Sequence, residues 1–250
     1  MINKTSPNFL NVLRAERRDL LERMRQTRFE TLKDGYSHAQ IIPFATYAPW
    51  LDDAGFTDVY ALAKSSTLVD VYRCYELYRL AQQCARLAGE AIEIGVWRGG
   101  TAAVIARALP EKTLHLFDTF SGVAKCDAEY DTLYSGGEHS DADEHTVVRL
   151  LETIGANCRI HRGIFPDDTL AAMPDRVCFA HIDVDSYRSV LDSFNALWPR
   201  VESRGIVVFD DYGTFGCEGA TLAVNEIVAS HRDGLFVHNL NGHALFIKQP

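Results

Sequence analysis

Three short stretches carry most of the chemistry that this chain can perform. His181-Ile182-Asp183-Val184-Asp185-Ser186-Tyr187, Phe209-Asp210-Asp211-Tyr212-Gly213 and Glu93-Ile94-Gly95-Val96-Trp97-Arg98-Gly99-Gly100-Thr101 each follow or close a short apolar run. If those runs are neighbouring parallel strands, about 4.8 Å apart, Asp183 and the Asp210/Asp211 pair meet at one sheet edge. Carboxylates placed there repel one another unless a cation or protons intervene. Mg²⁺ suits them, because it takes oxygen ligands and keeps positions open for water or substrate. Asp183, Asp210 and Asp211 are therefore the expected metal ligands; the alternative is that such carboxylates only cap the following helices. Asp185, two residues past Asp183, is the expected general base. His181 is the second choice for that role, although its place inside an apolar strand also fits a hydrogen-bonded core histidine.

The glycine loop is spaced G-x-x-x-G-G, unlike the G-x-G-x-x-G of dinucleotide binders, in which a pyrophosphate sits on the helix N-terminus. A glutamate at its head would repel a pyrophosphate. Glu93 suits instead an ammonium or sulfonium group, such as the methionine end of S-adenosylmethionine. Gly95, Trp97, Gly99 and Thr101 are the expected contacts of such a donor, with a bare strand-to-helix turn as the alternative. Asp118 ends the next strand, where an acid can hydrogen-bond a ribose diol, and Thr119 lies beside it. Gly163-Ile164-Phe165-Pro166 offers backbone and apolar surface for an adenine. A metal beside a sulfonium implies a mechanism in which the ion holds a substrate hydroxyl behind the donor methyl, so Asp183 is expected at both donor and metal.

These residues need a sheet to bring them together. Apolar runs at 91–94, 113–117, 158–162, 177–182 and 206–209 alternate with helical patterns at 101–109, 144–155, 188–198 and 219–231, as in a doubly wound α/β fold with a parallel sheet. Leu235–Leu240 and His243–Lys248 flank Asn241-Gly242, a strong hairpin signal. Five parallel strands and a terminal antiparallel hairpin form the strand plan of a Rossmann-like class I methyltransferase. Upstream, residues 8–33 read as one amphipathic helix with Phe9, Leu13, Leu20 and Met24 on one face, followed by a connector and a helix over 69–88. The expected division is a helical arm and connector over 1–68 and a catalytic domain over 69–250. The arm is expected to pack on its own domain or on a second subunit, giving a homo-oligomer.

The chain has 250 residues and a formal charge of -9. That charge disfavours nucleic acid and anionic membrane as main partners. No apolar run reaches the roughly 20 residues of a membrane span, and the first residues lack a signal-peptide core, so a cytoplasmic location is expected. The six cysteines form no C-x-x-C pair and read as reduced thiols.

Taken in order, Glu93–Gly100, Phe117–Gly122, Gly163–Pro166, Ile182–Tyr187 and Asp210–Gly213, followed by Gly216-Cys217 and a helix, resemble the macrocin O-methyltransferase (TylF-type) family over roughly residues 70–248. The resemblance implies methylation of a sugar hydroxyl that depends on Mg²⁺ and S-adenosylmethionine. It implies metal ligation by Asp183, Asp210 and Asp211, a base role for Asp185, and cofactor contacts at Glu93, Gly95 and Asp118. Ser203-Arg204-Gly205 stands where the family has a double glycine. Segment 123–145 corresponds to a variable lid over the acceptor, and its polar composition predicts ordering around a ligand. Tyr47, Trp50 and Tyr60 either pack together or offer faces to a sugar. Two rival readings remain: a metal-dependent glycosyltransferase using Asp183-Val184-Asp185 as a D-x-D motif, and a catalytically silent cofactor-binding protein.

Overall fold

The structure, a computed structural model, describes residues 7–28, 37–42 and 47–250. The chain divides into two compact units, 1–47 and 48–250. In the first, helix α1 runs Pro7–Gln26, shorter at its C-terminal end than the periodicity predicts, because Thr27 and Arg28 are already irregular. Val12, Leu20 and Met24 on this helix are exposed. The side chains of Phe9 and Leu13, two members of the expected apolar face, lie outside the description, and so do residues 29–36.

The second unit opens with a 3-10 turn at Pro49–Asp52 and helix α2, Ala54–Ala63, which the sequence reading passed over as connector. Asp53 starts α2 by accepting a hydrogen bond from the Phe56 amide. Helix α3, Val71–Cys84, is capped by Asp70, whose carboxylate accepts from the Tyr72 and Arg73 amides. Trp50 packs edge-on against Tyr72 with ring centroids 5.1 Å apart, and Tyr60 stacks on Phe56 at 5.3 Å, so both aromatics of the former connector are spent on packing. Tyr47 is exposed.

The remaining elements alternate as expected: β1 (Glu90–Ile94), α4 (Gly100–Ala108), β2 (Leu114–Asp118), α5 (Glu144–Thr153), β3 (Cys158–Arg162), β4 (Val177–Ile182), α6 (Tyr187–Leu197), β5 (Val201–Phe209), α7 (Glu218–Ser230), β6 (Gly234–His238) and β7 (Ala244–Lys248). They form one seven-stranded sheet in the order β3-β2-β1-β4-β5-β7-β6, with β1 to β5 parallel and β7 antiparallel to both β5 and β6. Strand order reverses between β1 and β4, which opens a crevice at their carboxyl ends.

Side chains alternate across the sheet. Ala91, Leu114, Leu116, Phe179, Ile206 and Val208 pack with α2, α3, α4 and α5, while Ile92, Ile94, Phe117, Ala180, Ile182 and Phe209 pack with α6 and α7. None of the six cysteines is disulfide-bonded; Cys126 and Cys158 are half-buried and the other four buried. Among the described residues, no helix is long and apolar enough to cross a membrane.

Candidate active site

Backbone pairing puts the acidic residues where the strands end. The Asp183 amide donates to the Ile94 carbonyl at 2.8 Å and the Asp210 amide to the Ile182 carbonyl at 2.9 Å, extending the β1–β4–β5 ladder by one residue. Asp183 thereby lies between the glycine loop and Asp210. Gly95 has φ +85°, and a Cβ there would stand 1.6 Å from the Asp183 carbonyl oxygen, so this crossing of β1 and β4 admits only glycine. Asp185 and Asp211 both adopt φ +60°, uncommon for residues with a side chain, and such conformations concentrate at functional sites.

One cleft collects most of the residues that the sequence singled out. Gly95, Trp97, Thr101, Asp118, Thr119, Gly163 and Ile164 line it, as do Asp183, Asp185, Asp210 and Asp211. Glu93, Gly99 and His181 do not, and their expected roles need correction. Glu93 shares the parity of Ala91, so its side chain enters the fully buried face under α3 and α4, where its Oε1 lies 2.9 Å from His181 Nδ1. A carboxylate there is shut away from a sulfonium in the cleft. Burial pushes its pKa up, with the His181 hydrogen bond opposing. His181 is the hydrogen-bonded core histidine, 0% exposed and unable to reach an acceptor. Gly99, at φ +82°, is the left-handed N-cap of α4, and a Cβ there would meet Val147 at 2.9 Å; its freedom serves helix packing.

Asp118 does something the sequence could not reveal. Its Oδ2 accepts from the Val96 and Trp97 amides at 2.6 and 2.8 Å, and its Oδ1 from the Phe120 amide at 2.6 Å. The carboxylate braces the glycine loop, while still facing the cleft.

The electrostatics of the four aspartates are uneven. Burial, followed by the charges of Asp210 and Asp211, pushes Asp183 well above the usual carboxylate range. Asp211 is likewise pushed well up by burial and by Asp210 and Asp185. Burial also raises Asp185, with neighbouring Asp211 and Tyr134 opposing. Asp210 is held low against burial by His243 and Arg73. One oxygen each from Asp183, Asp210 and Asp211 can be chosen with all three within 4.8 Å of one another. A set of carboxylate oxygens this close, at strand ends lining a cleft, fits a hard divalent cation.

Arg73, Tyr134 and His139 line the same cleft and were not foreseen. For Arg73 the one available signal was a charge beside Cys74 and Leu77 in an otherwise buried stripe. Tyr134 and His139 belong to segment 123–145, which contacts with the rest of the chain hold at both ends. Lys125 Nζ lies 2.7 Å from Asp167 and 2.8 Å from Asp192, and the Ala124 carbonyl accepts from the Ser186 and Ser189 hydroxyls. At the other end, the Trp97 indole donates to Asp141 at 2.7 Å, tying the segment to the glycine loop.

A parallel sheet with this strand order, an antiparallel terminal pair, and a cleft at the β1/β4 switch point define a class I methyltransferase. A family model, Macrocin-O-methyltransferase (TylF), matches residues 62–233, and the chain belongs to that family: it is an O-methyltransferase dependent on S-adenosylmethionine. It is 27% identical over 197 residues to the mycinamicin III 3''-O-methyltransferase of Micromonospora griseorubida, covering 68% of this chain and 77% of that one. It is 28% identical over 149 residues to the 8-demethyl-8-(2,3-dimethoxy-alpha-L-rhamnosyl)-tetracenomycin-C 4'-O-methyltransferase of Streptomyces olivaceus, covering 53% and 56%. The solved structure of the O-methyltransferase NovP superposes with a TM-score of 0.66 at 22% identity, over 74% of this chain and 83% of that one, and shares the fold.

Proposed function

We propose that the protein methylates a hydroxyl of a sugar, free as a nucleotide sugar or attached to a natural product, with Mg²⁺ held by Asp183, Asp210 and Asp211 and with Asp185 as base. The observation that carries the reading is the group of three carboxylates at the switch-point cleft, whose oxygens lie close enough to share one cation. The rhamnosyl 4'-O-methyltransferase relative supports a sugar as acceptor. A D-x-D glycosyltransferase reading is displaced by family membership.

When bound, S-adenosylmethionine supplies an electrophilic methyl group and Mg²⁺ supplies Lewis acidity that orients the acceptor hydroxyl and lowers its pKa. Asp118 keeps the glycine loop in shape for the donor by gathering three backbone amides. Asp185 would accept the hydroxyl proton at its carboxylate. Its raised affinity for protons makes it a better acceptor than an ordinary surface aspartate. Trp97, Tyr134 and His139 surround the approach to Asp185, with Trp97 and His139 rings edge-on at 6.1 Å, and offer aromatic surface to a sugar.

Asp185→Asn keeps the shape and removes the proton acceptor. Its turnover is expected to fall about 10²- to 10⁴-fold, the usual worth of a positioned base, with S-adenosylhomocysteine affinity within a few-fold of wild type. Steady-state kinetics with calorimetry check this, and unchanged turnover would move the base elsewhere. The exposed Val12, Leu20 and Met24 support the reading of α1 as a subunit contact. Sedimentation equilibrium is expected to show a dimer or higher; a monomer at every concentration would exclude it.

A further inference from the structure

Beneath the carboxylate cluster lies a layer of polar groups that the reaction as described leaves unused. His243, immediately before β7, is 0% exposed and stands between two acids. Its Nδ1 is 2.7 Å from Glu76 Oε2 on α3, and its Nε2 is 3.3 Å from Asp210 Oδ1. The imidazole thus has a carboxylate at each nitrogen: Nδ1 is hydrogen-bonded to Glu76, while Nε2 faces Asp210 without completing a hydrogen bond.

Glu76 is itself gripped. Asn241 Nδ2 donates to its Oε2 at 3.0 Å, Asn239 Nδ2 donates to its Oε1, and Asn241 Oδ1 accepts from the His243 amide at 3.0 Å. The β6–β7 turn is thus wrapped around one side chain of α3. Three residues earlier, on the same face of that helix, Arg73 Nη1 reaches Asp210 Oδ1, the same oxygen that His243 approaches. Arg73 and His243 therefore converge on a single oxygen of Asp210.

We propose that Glu76 and His243 are a positioning pair for Asp210, which with Arg73 pin its Oδ1 and leave its second oxygen as the ligand for a divalent ion. The inference rests on the reading of Asp183, Asp210 and Asp211 as the metal site. Hydrogen-bonded partners behind metal ligands are commonly worth about 10- to 100-fold in metal affinity.

The test uses the whole chain and Mn²⁺ as probe, its binding read from the loss of the free-ion electron paramagnetic resonance signal. S-adenosylhomocysteine binding is measured in parallel by calorimetry. Wild type is expected to bind Mn²⁺. His243→Ala is expected to lose about 10- to 100-fold in Mn²⁺ affinity with S-adenosylhomocysteine affinity within two-fold. His243→Gln, whose amide can donate to Asp210 from near the Nε2 position, is expected to recover most of the loss. Glu76→Gln is expected to lie between, and, keeping its volume, carries the test should His243→Ala fail to fold. Equal Mn²⁺ affinity in wild type and the variants would overturn the proposal. So would a parallel fall in both affinities, which marks a merely structural role, or a His243→Gln variant no better than His243→Ala. Stoichiometric zinc in the purified wild type would also overturn it, because His181, His243 and Asp210 would then be ligands themselves. Absence of Mn²⁺ binding in wild type would instead sink the underlying metal reading, a distinct outcome.

Discussion

Asp183→Asn is expected to cut methyl transfer by about 10³-fold or more while making the metal-free protein more stable. The first effect follows from the several kcal/mol of charge stabilisation that a bound cation supplies, each 1.36 kcal/mol being about tenfold in rate. The second follows from the opposite side of the same electrostatics. Asp183 is driven toward neutrality by burial and by Asp210 and Asp211, so its folded pKa lies above its unfolded one. A carboxyl of that kind binds protons more tightly in the folded state, and its presence lowers stability as pH rises above the unfolded value. Asparagine removes that penalty. Thermal unfolding in EDTA should place the variant above wild type, and addition of Mg²⁺ should raise wild type but leave the variant nearly unmoved. A variant that is less stable in EDTA, or that keeps its response to Mg²⁺, would take Asp183 out of the metal site.

Asp118→Asn should weaken cofactor binding and the fold together. The carboxylate takes three amide hydrogens on its two oxygens, and an asparagine must turn a donor toward at least one of them. A charge-assisted bond is worth about 1.5–3 kcal/mol, so S-adenosylhomocysteine affinity should drop about 10- to 100-fold and the melting temperature by several degrees. The measurement is calorimetry beside a thermal scan. If Asp118 served only the ribose diol, affinity would fall with no change in melting temperature, and that pattern would contradict the bracing role.

How far the sequence could be read depended on how far each interaction reaches along the chain. Strand β4 is legible to the residue, since its apolar run ends at a sharp turn, and the bounds of β3 match as well although its residues are mostly polar. Strand β5 begins at Val201, five residues before its apolar run, because the polar Glu202-Ser203-Arg204 falls where the pairing with β4 shifts register, and it carries no periodic signal. Helix α2 was hidden by Gly55 and Thr57 in a short, aromatic-rich stretch. At the site, the aspartates were legible because strand ends gather at a switch point whatever the loops do. Glu93 was misread for a complementary reason: a strand buried on both faces gives no hydrophobic alternation, so nothing local tells which side receives the acid. Arg73 on Asp210 and Glu76 on His243 bridge 137 and 167 positions, and only the assembled sheet brings them together.

The central question for this protein is whether these carboxylates hold a metal that the methyl transfer needs. The direct measurement follows labelled methyl groups from S-adenosylmethionine onto a panel of nucleotide-linked deoxysugars, deoxysugar glycosides and catechols. Each is assayed in EDTA and again after addition of Mg²⁺. Transfer to a sugar hydroxyl that vanishes in EDTA and returns with Mg²⁺ is the predicted result; sugar methylation undiminished by EDTA, or transfer confined to catechols, would contradict it.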